Sequence, residues 1–353
     1  ESDIKFRNWR VLGSESLVIG QIEQVGDDKY KVSFWLFDVF KAKKLAAFSI
    51  NTNSKSLRTT AHKISDLIYE KLLNEPGAFS TYILYITSLR ASERDTSYTL
   101  WMADFDGERP QKLTGSKFPI LSPSWSPDGK RIAYASLEGG GGGKQKVIIQ
   151  EWRTARRTIV TTIKEGLYGA PAWSPDGKHL SFTISLHGNS DIYRLNLSSK
   201  RLKQLTNHWA IDTESVWTPD GKSIIFTSDR SGRPQLYKMP SNGGKVSRLT
   251  FEGKSNSKPV VSSDGKLLAM VENIEGKYKI ALMNMASGNV QILTDGDLDE
   301  SPSFAPNTGM IIYATTVGQR KTLATVSTDG RFKQSLDYAG DVRSPAWSPL
   351  NIR

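Results

Sequence analysis

The sequence predicts a mixed fold: a small α/β domain over residues 1–78, followed over 79–353 by an all-β six-bladed propeller closed by its own C-terminal strand. Three observations predict it. A Trp-Ser-Pro-Asp-Gly-like motif recurs along the chain, a short β-rich run follows the copies, and the two ends of the repeated region are complementary fragments of one unit.

The motif is clearest at Ser124-Trp125-Ser126-Pro127-Asp128-Gly129, Ala172-Trp173-Ser174-Pro175-Asp176-Gly177 and Val216-Trp217-Thr218-Pro219-Asp220-Gly221. Weaker copies are Val260-Val261-Ser262-Ser263-Asp264-Gly265 and Ser303-Phe304-Ala305-Pro306-Asn307, and a last one is Ala346-Trp347-Ser348-Pro349. The tryptophan-equivalent positions 125, 173, 217, 261, 304 and 347 are 48, 44, 44, 43 and 43 residues apart. That is the length of a four-stranded blade. Within a unit, Pro presets φ and Gly takes the left-handed place of the turn.

Second strands follow at 132–135, 180–183, 224–227, 268–271 and 311–314, third strands at 191–195 and 235–239. A fourth strand ends in Leu-Thr at 113–114, 205–206, 249–250 and 293–294. Short alternating runs bounded by Gly and Pro indicate antiparallel strands. The ends decide the topology. Residues 82–86 and 100–103 read as second and third strands with no first strand before them, whereas 346–348 is a first strand with nothing after it. Joined, they complete a sixth blade and close the ring, which removes open sheet edges.

Residues 1–78 lack the repeat. Strands are expected at 17–25, 30–39 and 45–50, with a turn at Gly26-Asp27-Asp28. A helix is expected from about Ser56 to Leu73, burying Leu57, Ala61, Ile64 and Ile68 at helical spacing. Asn74 and then Pro76-Gly77 stop it. Residues 4–12 read as a helical remnant whose abrupt start marks the domain as incomplete.

A chain of 353 residues is long enough for two packed cores, and 38% hydrophobic with 24% charged residues describes an ordinary globular protein. With no cysteine, disulfides, thiol catalysis and thiolate metal sites are excluded. The 47 basic and 36 acidic residues leave +11, so acidic surfaces are attracted. No apolar run is long enough for a membrane span, so direct membrane insertion is not expected. Residues 1–20 contain no signal peptide, so an exported protein would be present here in processed or trimmed form.

Several sharper readings weaken on inspection. Five glycines at 139–143 before Lys144 invite a phosphate loop, but Glu138 and Gln145 break its spacing, and a hairpin loop is the better reading. Asp128, Asp176, Asp220 and Asp264 lie in turns, where such side chains bond their own backbone rather than a metal. His62, His179, His187 and His208 form no ligand pair, and no Gly-x-Ser-x-Gly elbow exists. The repeated tryptophans read as blade packing. The basic clusters Arg153, Arg156, Arg157 and Lys41, Lys43, Lys44 read as solvated faces, with no nucleic-acid partner expected. No catalytic residue, cofactor or metal is assigned. The competing enzyme class is a propeller-type polysaccharide lyase or another channel-site enzyme.

The repeat behind a small α/β domain resembles the TolB family, periplasmic propellers of the Tol–Pal envelope system of Gram-negative bacteria. The likeness covers the whole chain. It is sharpest at Thr227-Ser228-Asp229-Arg230-Ser231-Gly232-Arg233-Pro234-Gln235, Val261-Ser262-Ser263-Asp264-Gly265-Lys266 and Val326-Ser327-Thr328-Asp329-Gly330-Arg331-Phe332-Lys333. The resemblance implies a non-catalytic scaffold that binds the peptidoglycan-associated lipoprotein Pal at one mouth of the ring, a contact bacteriocins imitate. Family contact positions match at Gly169, Ala170 and Pro171 and at Thr213 and Glu214, beside Leu167 and Tyr168. Leu121, Ser122, Glu300 and Ser301 are equivalent by the repeat, and Leu167 stands where the family typically has histidine. The family's TolA-binding segment precedes the α/β domain; roughly fifty or more residues of that pattern are missing here, so TolA would bind through a segment absent from this chain.

Overall fold

A computed structural model describes residues 4–92, 95–137, 145–160, 166–336, 338 and 340–350. The glycine run 139–143 with Glu138 and Lys144 lies outside the described residues. The chain divides into two compact units, Glu1–Ser80 and Thr81–Arg353.

In the first unit, α1 (Phe6–Val11) precedes a three-stranded antiparallel sheet of β1 (Ser16–Gly26), β2 (Lys29–Asp38) and β3 (Lys43–Thr52), and α2 (Leu57–Leu73) follows. The central strand β2 is apolar on both faces because both are covered: Phe34, Leu36 and Phe37 are buried, as is Val39 just beyond it. Asn74 ends α2 in the left-handed conformation at φ 56°, its N–H donating to Glu70 O at 2.9 Å. The expected buried face of this helix is corrected. Leu57, Ile64 and Ile68 are only half-buried, Ala61 is exposed, and the one buried residue is Thr60. Thr60 meets the sheet through Thr52 Oγ1 at 2.9 Å and bonds Ser56 O at 3.0 Å. Helical spacing specifies which side faces inward; how deeply it is covered depends on the sheet beneath, which here has three strands.

The second unit consists of six four-stranded antiparallel blades. Their inner strands, in chain order from the first blade to the sixth, are Ile120–Trp125, Leu167–Trp173, Asp212–Trp217, Ser255–Val261, Glu300–Phe304 and Asp341–Trp347. Each packs against the next, and the sixth against the first. The sixth blade is composite: Asp341–Trp347 pairs with β4 (Tyr82–Ser92), followed by β5 (Asp95–Asp104) and β6 (Gln111–Ser116). Trp347 stands opposite Ile83 and Asp341 opposite Ser88.

The cores lie between blades. One joins Leu84, Ile86, Leu100 and Met102 of the sixth blade to Ile120, Trp125, Ile132 and Tyr134 of the first. The tryptophans pack there. The indole N–H groups of Trp125 and Trp173 staple neighbouring blades, that of Trp347 joins the two ends of the chain within the sixth blade, and that of Trp217 is buried with no partner among the described residues. Trp125 Nε1 donates to Ala346 O at 3.2 Å, Trp173 Nε1 to Ser124 O at 3.3 Å and Trp347 Nε1 to Thr81 Oγ1 at 2.8 Å. The Leu-Thr pairs refine the expectation. In the second, third and fourth blades the outer strand ends at Gln204, Arg248 and Ile292, just before the pair. The threonine hydroxyl then takes over as acceptor for the third strand, bonding Ile192 N, Leu236 N and Ile280 N, each at 2.9 Å.

The turn aspartates bond within their own turns. Asp176 Oδ1 accepts from Ser174 Oγ at 2.6 Å and Lys178 N at 3.0 Å, and Asp220 Oδ1 from Thr218 Oγ1 at 2.6 Å and Lys222 N at 3.0 Å. These hydroxyl donors, and then the amides, hold both carboxyls below the ordinary range. Because the folded-state value is depressed, the turns contribute fully above the unfolded value of about 3.9 and lose that contribution as pH falls through the lowered value. A D176N/D220N variant is therefore expected to lose less stability than wild type on acidification from about pH 4 to about pH 2, read as urea midpoints. Parallel acid limbs would refute it. Trp347→Ala is expected to cost about 3–5 kcal/mol by opening a cavity at the closure; an unchanged urea midpoint would show that the seam does not hold the ring.

Candidate partner-binding mouth of the propeller

All six inner strands carry a β-bulge at the same place. In the first blade Leu121 pairs with Ala135 and Ser124 with Ala133, so Ser122 and Pro123 together face Tyr134. The pattern repeats at Ala170-Pro171, Glu214-Ser215, Lys258-Pro259, Ser301-Pro302 and Ser344-Pro345. The second bulge residue is proline in five of the six, at a position that need not donate to the ladder.

The first bulge residue is left-handed every time: φ is 50° at Ser122, 46° at Ala170, 55° at Glu214, 51° at Lys258, 56° at Ser301 and 51° at Ser344. None is glycine, so each costs about 1–3 kcal/mol. Bulges re-aim side chains. Here they bring polar groups of neighbouring blades together around the ring. Glu214 Oε2 accepts from Thr227 Oγ1 at 3.0 Å and from Lys258 N at 2.9 Å. Lys258 Nζ reaches Glu300 Oε2 at 3.3 Å and Ser301 Oγ at 3.2 Å, and Lys321 Nζ lies 3.8 Å from Glu300 Oε1. Thr183 Oγ1 donates to Thr213 Oγ1 at 3.2 Å. Two glutamates and two lysines thus balance across the third to fifth blades.

The loops leading into the inner strands are tied to the hairpins between second and third strands, so both form one face. Ile211 N donates to Asp229 Oδ1 at 2.8 Å, Leu137 N to Pro119 O at 3.2 Å and Lys254 N to Asn273 O at 3.3 Å. The start of the third inner strand is held by Arg230, whose Nη2 contacts both oxygens of the fully buried Asp212 at 2.9 Å. The same guanidinium lies over the rings of Phe226 and Tyr237, 5.4 and 5.0 Å from their centroids.

Every sequence-predicted position falls on an inner strand; all but Leu167 and Tyr168, which pair regularly just before the second blade's bulge, lie at or beside a bulge. Leu121, Ser122, Gly169, Ala170, Thr213, Glu214, Glu300 and Ser301 are half-buried, and Leu167 is exposed. Tyr168 and Pro171 are buried; Tyr168 packs on Phe182, centroids 5.8 Å apart, so it supports the strand. Sequence reasoning missed Lys258 and Ser344, which the repeat register could have supplied. It also missed exposed apolar side chains in the leading loops: Phe118, Trp209 (76% exposed), Ile211 and Phe251 (72% exposed).

Comparison with known proteins agrees with this architecture. Residues 69–351 match the model of the TolB beta propeller domain, and residues 1–45 that of the TolB amino-terminal domain. The chain belongs to the TolB family. The Tol-Pal system protein TolB of Nitrosococcus oceani is 49% identical over 349 residues, covering 99% of this chain and 80% of that protein. The TolB of Marinomonas sp. is 53% identical over 351 residues, with 99% and 80% covered. The crystal structure of TolB from Acinetobacter baumannii is 44% identical with a TM-score of 0.92, covering 99% of this chain and 86% of that one. A puromycin hydrolase at 12% identity and TM-score 0.51 shares the fold alone. TolB is a periplasmic family of the Tol–Pal system. Among the described residues no helix is long and apolar enough to cross a membrane.

Removing Arg230 would leave the Asp212 carboxylate buried and unpaired. Arg230→Ala is expected to cost about 3–5 kcal/mol, with part regained in the D212A/R230A double variant. Denaturation midpoints check this; an R230A midpoint equal to wild type would show that the pair does not hold the strand.

Proposed function

We propose that this chain is a non-catalytic periplasmic scaffold of the Tol–Pal system whose propeller docks the peptidoglycan-associated lipoprotein Pal on the bulged mouth. In that role it supports outer-membrane integrity and envelope constriction at division. One observation carries the reading: six left-handed, non-glycine bulges recur at one level of the ring, and the sequence-matched positions Ser122, Ala170, Glu214 and Ser301 are four of them. Conformational cost repeated at the same place in every blade supports a reading in which the mouth's shape serves docking.

The leading loops fit docking. Exposed Trp209, Ile211, Phe251 and Leu167 supply the aromatic and aliphatic anchors that dominate protein interfaces. Gly169, Ala170 and Thr213 offer small surfaces on which a partner's backbone can approach, with Leu121, Ser122, Glu300 and Ser301 extending the rim. Tyr168 and Pro171 hold that rim from beneath. The charged groups at the bulges bond one another, which favours a pre-organised docking surface over a lyase-type channel site. Bacteriocins that imitate the lipoprotein would use the same mouth, and TolA would engage a segment N-terminal to the α/β domain.

Isothermal titration against the lipoprotein's soluble domain tests the proposal. Ala170→Asp suits the left-handed position, and with Thr213→Arg it should weaken the complex more than tenfold, about 1.4 kcal/mol. No complex at micromolar concentration, or unchanged affinity in both variants, would overturn it.

A further inference from the structure

Between the third and fourth blades, on the same face, lies a cavity of about 300 Å³ lined by Ser231, Gly232, Arg233, Gln235, Arg248, Gly253 and Lys254. Three of these are cations and none is a carboxylate. Arg248 Nε donates to Thr250 O at 2.6 Å, and its guanidinium lies 5.2 Å from the Phe251 ring centroid. That arrangement fixes the side chain and leaves its terminal nitrogens without a bond among the described residues. Arg233 and Lys254 are exposed and have no ion pair among the described residues. The carboxyl of Glu272 is buried against Gly253 and is not among the residues that line the cavity.

The polar floor is Gln235, only 3% exposed. Its Oε1 accepts from Thr250 Oγ1 at 2.6 Å and Asn256 Nδ2 at 3.1 Å. These two donors set the amide's orientation and leave Nε2, which has no partner among the described residues. The second blade shows what this arrangement ordinarily holds. There the place of Gln235 is taken by Asp191, and those of Arg233 and Arg248 by Asn189 and Gln204. Asp191 accepts from Asn189 Nδ2 at 3.1 Å, Gln204 Nε2 at 3.2 Å, Thr206 Oγ1 at 3.2 Å and His208 N at 3.3 Å. An internal carboxylate closes the second blade's network; the third blade keeps the donors, strengthens them to guanidinium groups and lacks the acceptor.

We infer that this cavity is a binding site for an oxyanion, a carboxylate or phosphate group held by Arg233, Arg248, Lys254 and the Gln235 amide. A guanidinium presents two N–H donors in a fork that spans two oxygens of a carboxylate or of a phosphate, and its charge-assisted hydrogen bonds are roughly twice as strong as neutral ones. The site stands independently of Pal docking, although its position lets an acidic group on a docked protein reach it.

Titration of the full chain at low ionic strength with inorganic phosphate, and separately with a short Asp/Glu peptide, is read on the arginine Nε–Hε resonances. The Arg248 signal is expected to shift and saturate. The surface variant R233Q/K254Q should weaken binding at least about tenfold. Gln235→Glu, which rebuilds the second blade's internal carboxylate, should abolish it. Saturation by phosphate alone supports a site for small free anions, and saturation by the peptide supports a carboxylate presented on a protein chain. No saturable shift with either probe, or R233Q/K254Q titrating like wild type, overturns the inference. Neither probe contains the lipoprotein, so this outcome is separable from that of the docking experiment.

Discussion

The pairing of the chain's last inner strand with the strand that opens the propeller is the contact on which the rest depends. Blades bury their apolar faces against one another, so each core needs two neighbours. Without Asp341–Trp347 on β4, both the first and the fifth blade would face water on one side. The closure is made of ladder bonds, the Trp347 indole on Thr81, and Trp347 N on Ser303 Oγ at 2.9 Å. These partners lie more than two hundred residues apart along the chain in the first two cases, so closure is paid in loop entropy and recovered in buried surface.

Closure also explains how so many unfavourable backbone conformations persist. A lone left-handed serine or lysine in a strand would relax by slipping register. In a closed ring each inner strand is held by its own blade and by both neighbours, and the bulge has nowhere to go. The fold thus stores conformational cost at the mouth and supports it from the inter-blade cores, where Tyr134, Phe182, Phe226, Met270, Tyr313 and Tyr85 stand opposite the bulges. The same rigidity lets two blades of one design diverge: Asp191 completes a hydrogen-bond network in one, and Gln235 leaves a basic cavity in the next.

Much of this was legible before the structure. Turn chemistry at Pro-Asp-Gly located the hairpins, and the unmatched ends at Tyr82 and Trp347 implied their pairing. Asn74 marked the end of α2 because asparagine tolerates the left-handed cap. The burial of α2 was not legible, since periodicity does not report what lies opposite. Lys258 and Ser344 were within reach, each being one repeat away from a chosen position. The exposure of Trp209 and Phe251 was not, because aromatic residues in loops are buried as readily as they are exposed.

By itself the sequence determined the number of strands, their order and the closure of the ring, because these follow from local turn signals and a period that counts to six. Only the tertiary structure decided which backbone positions are left-handed, which charges meet across blades, and which arginines lack an acid. Those properties belong to contacts made when strands pair within a blade and blades meet in the ring, and the residues involved are not neighbours in the chain.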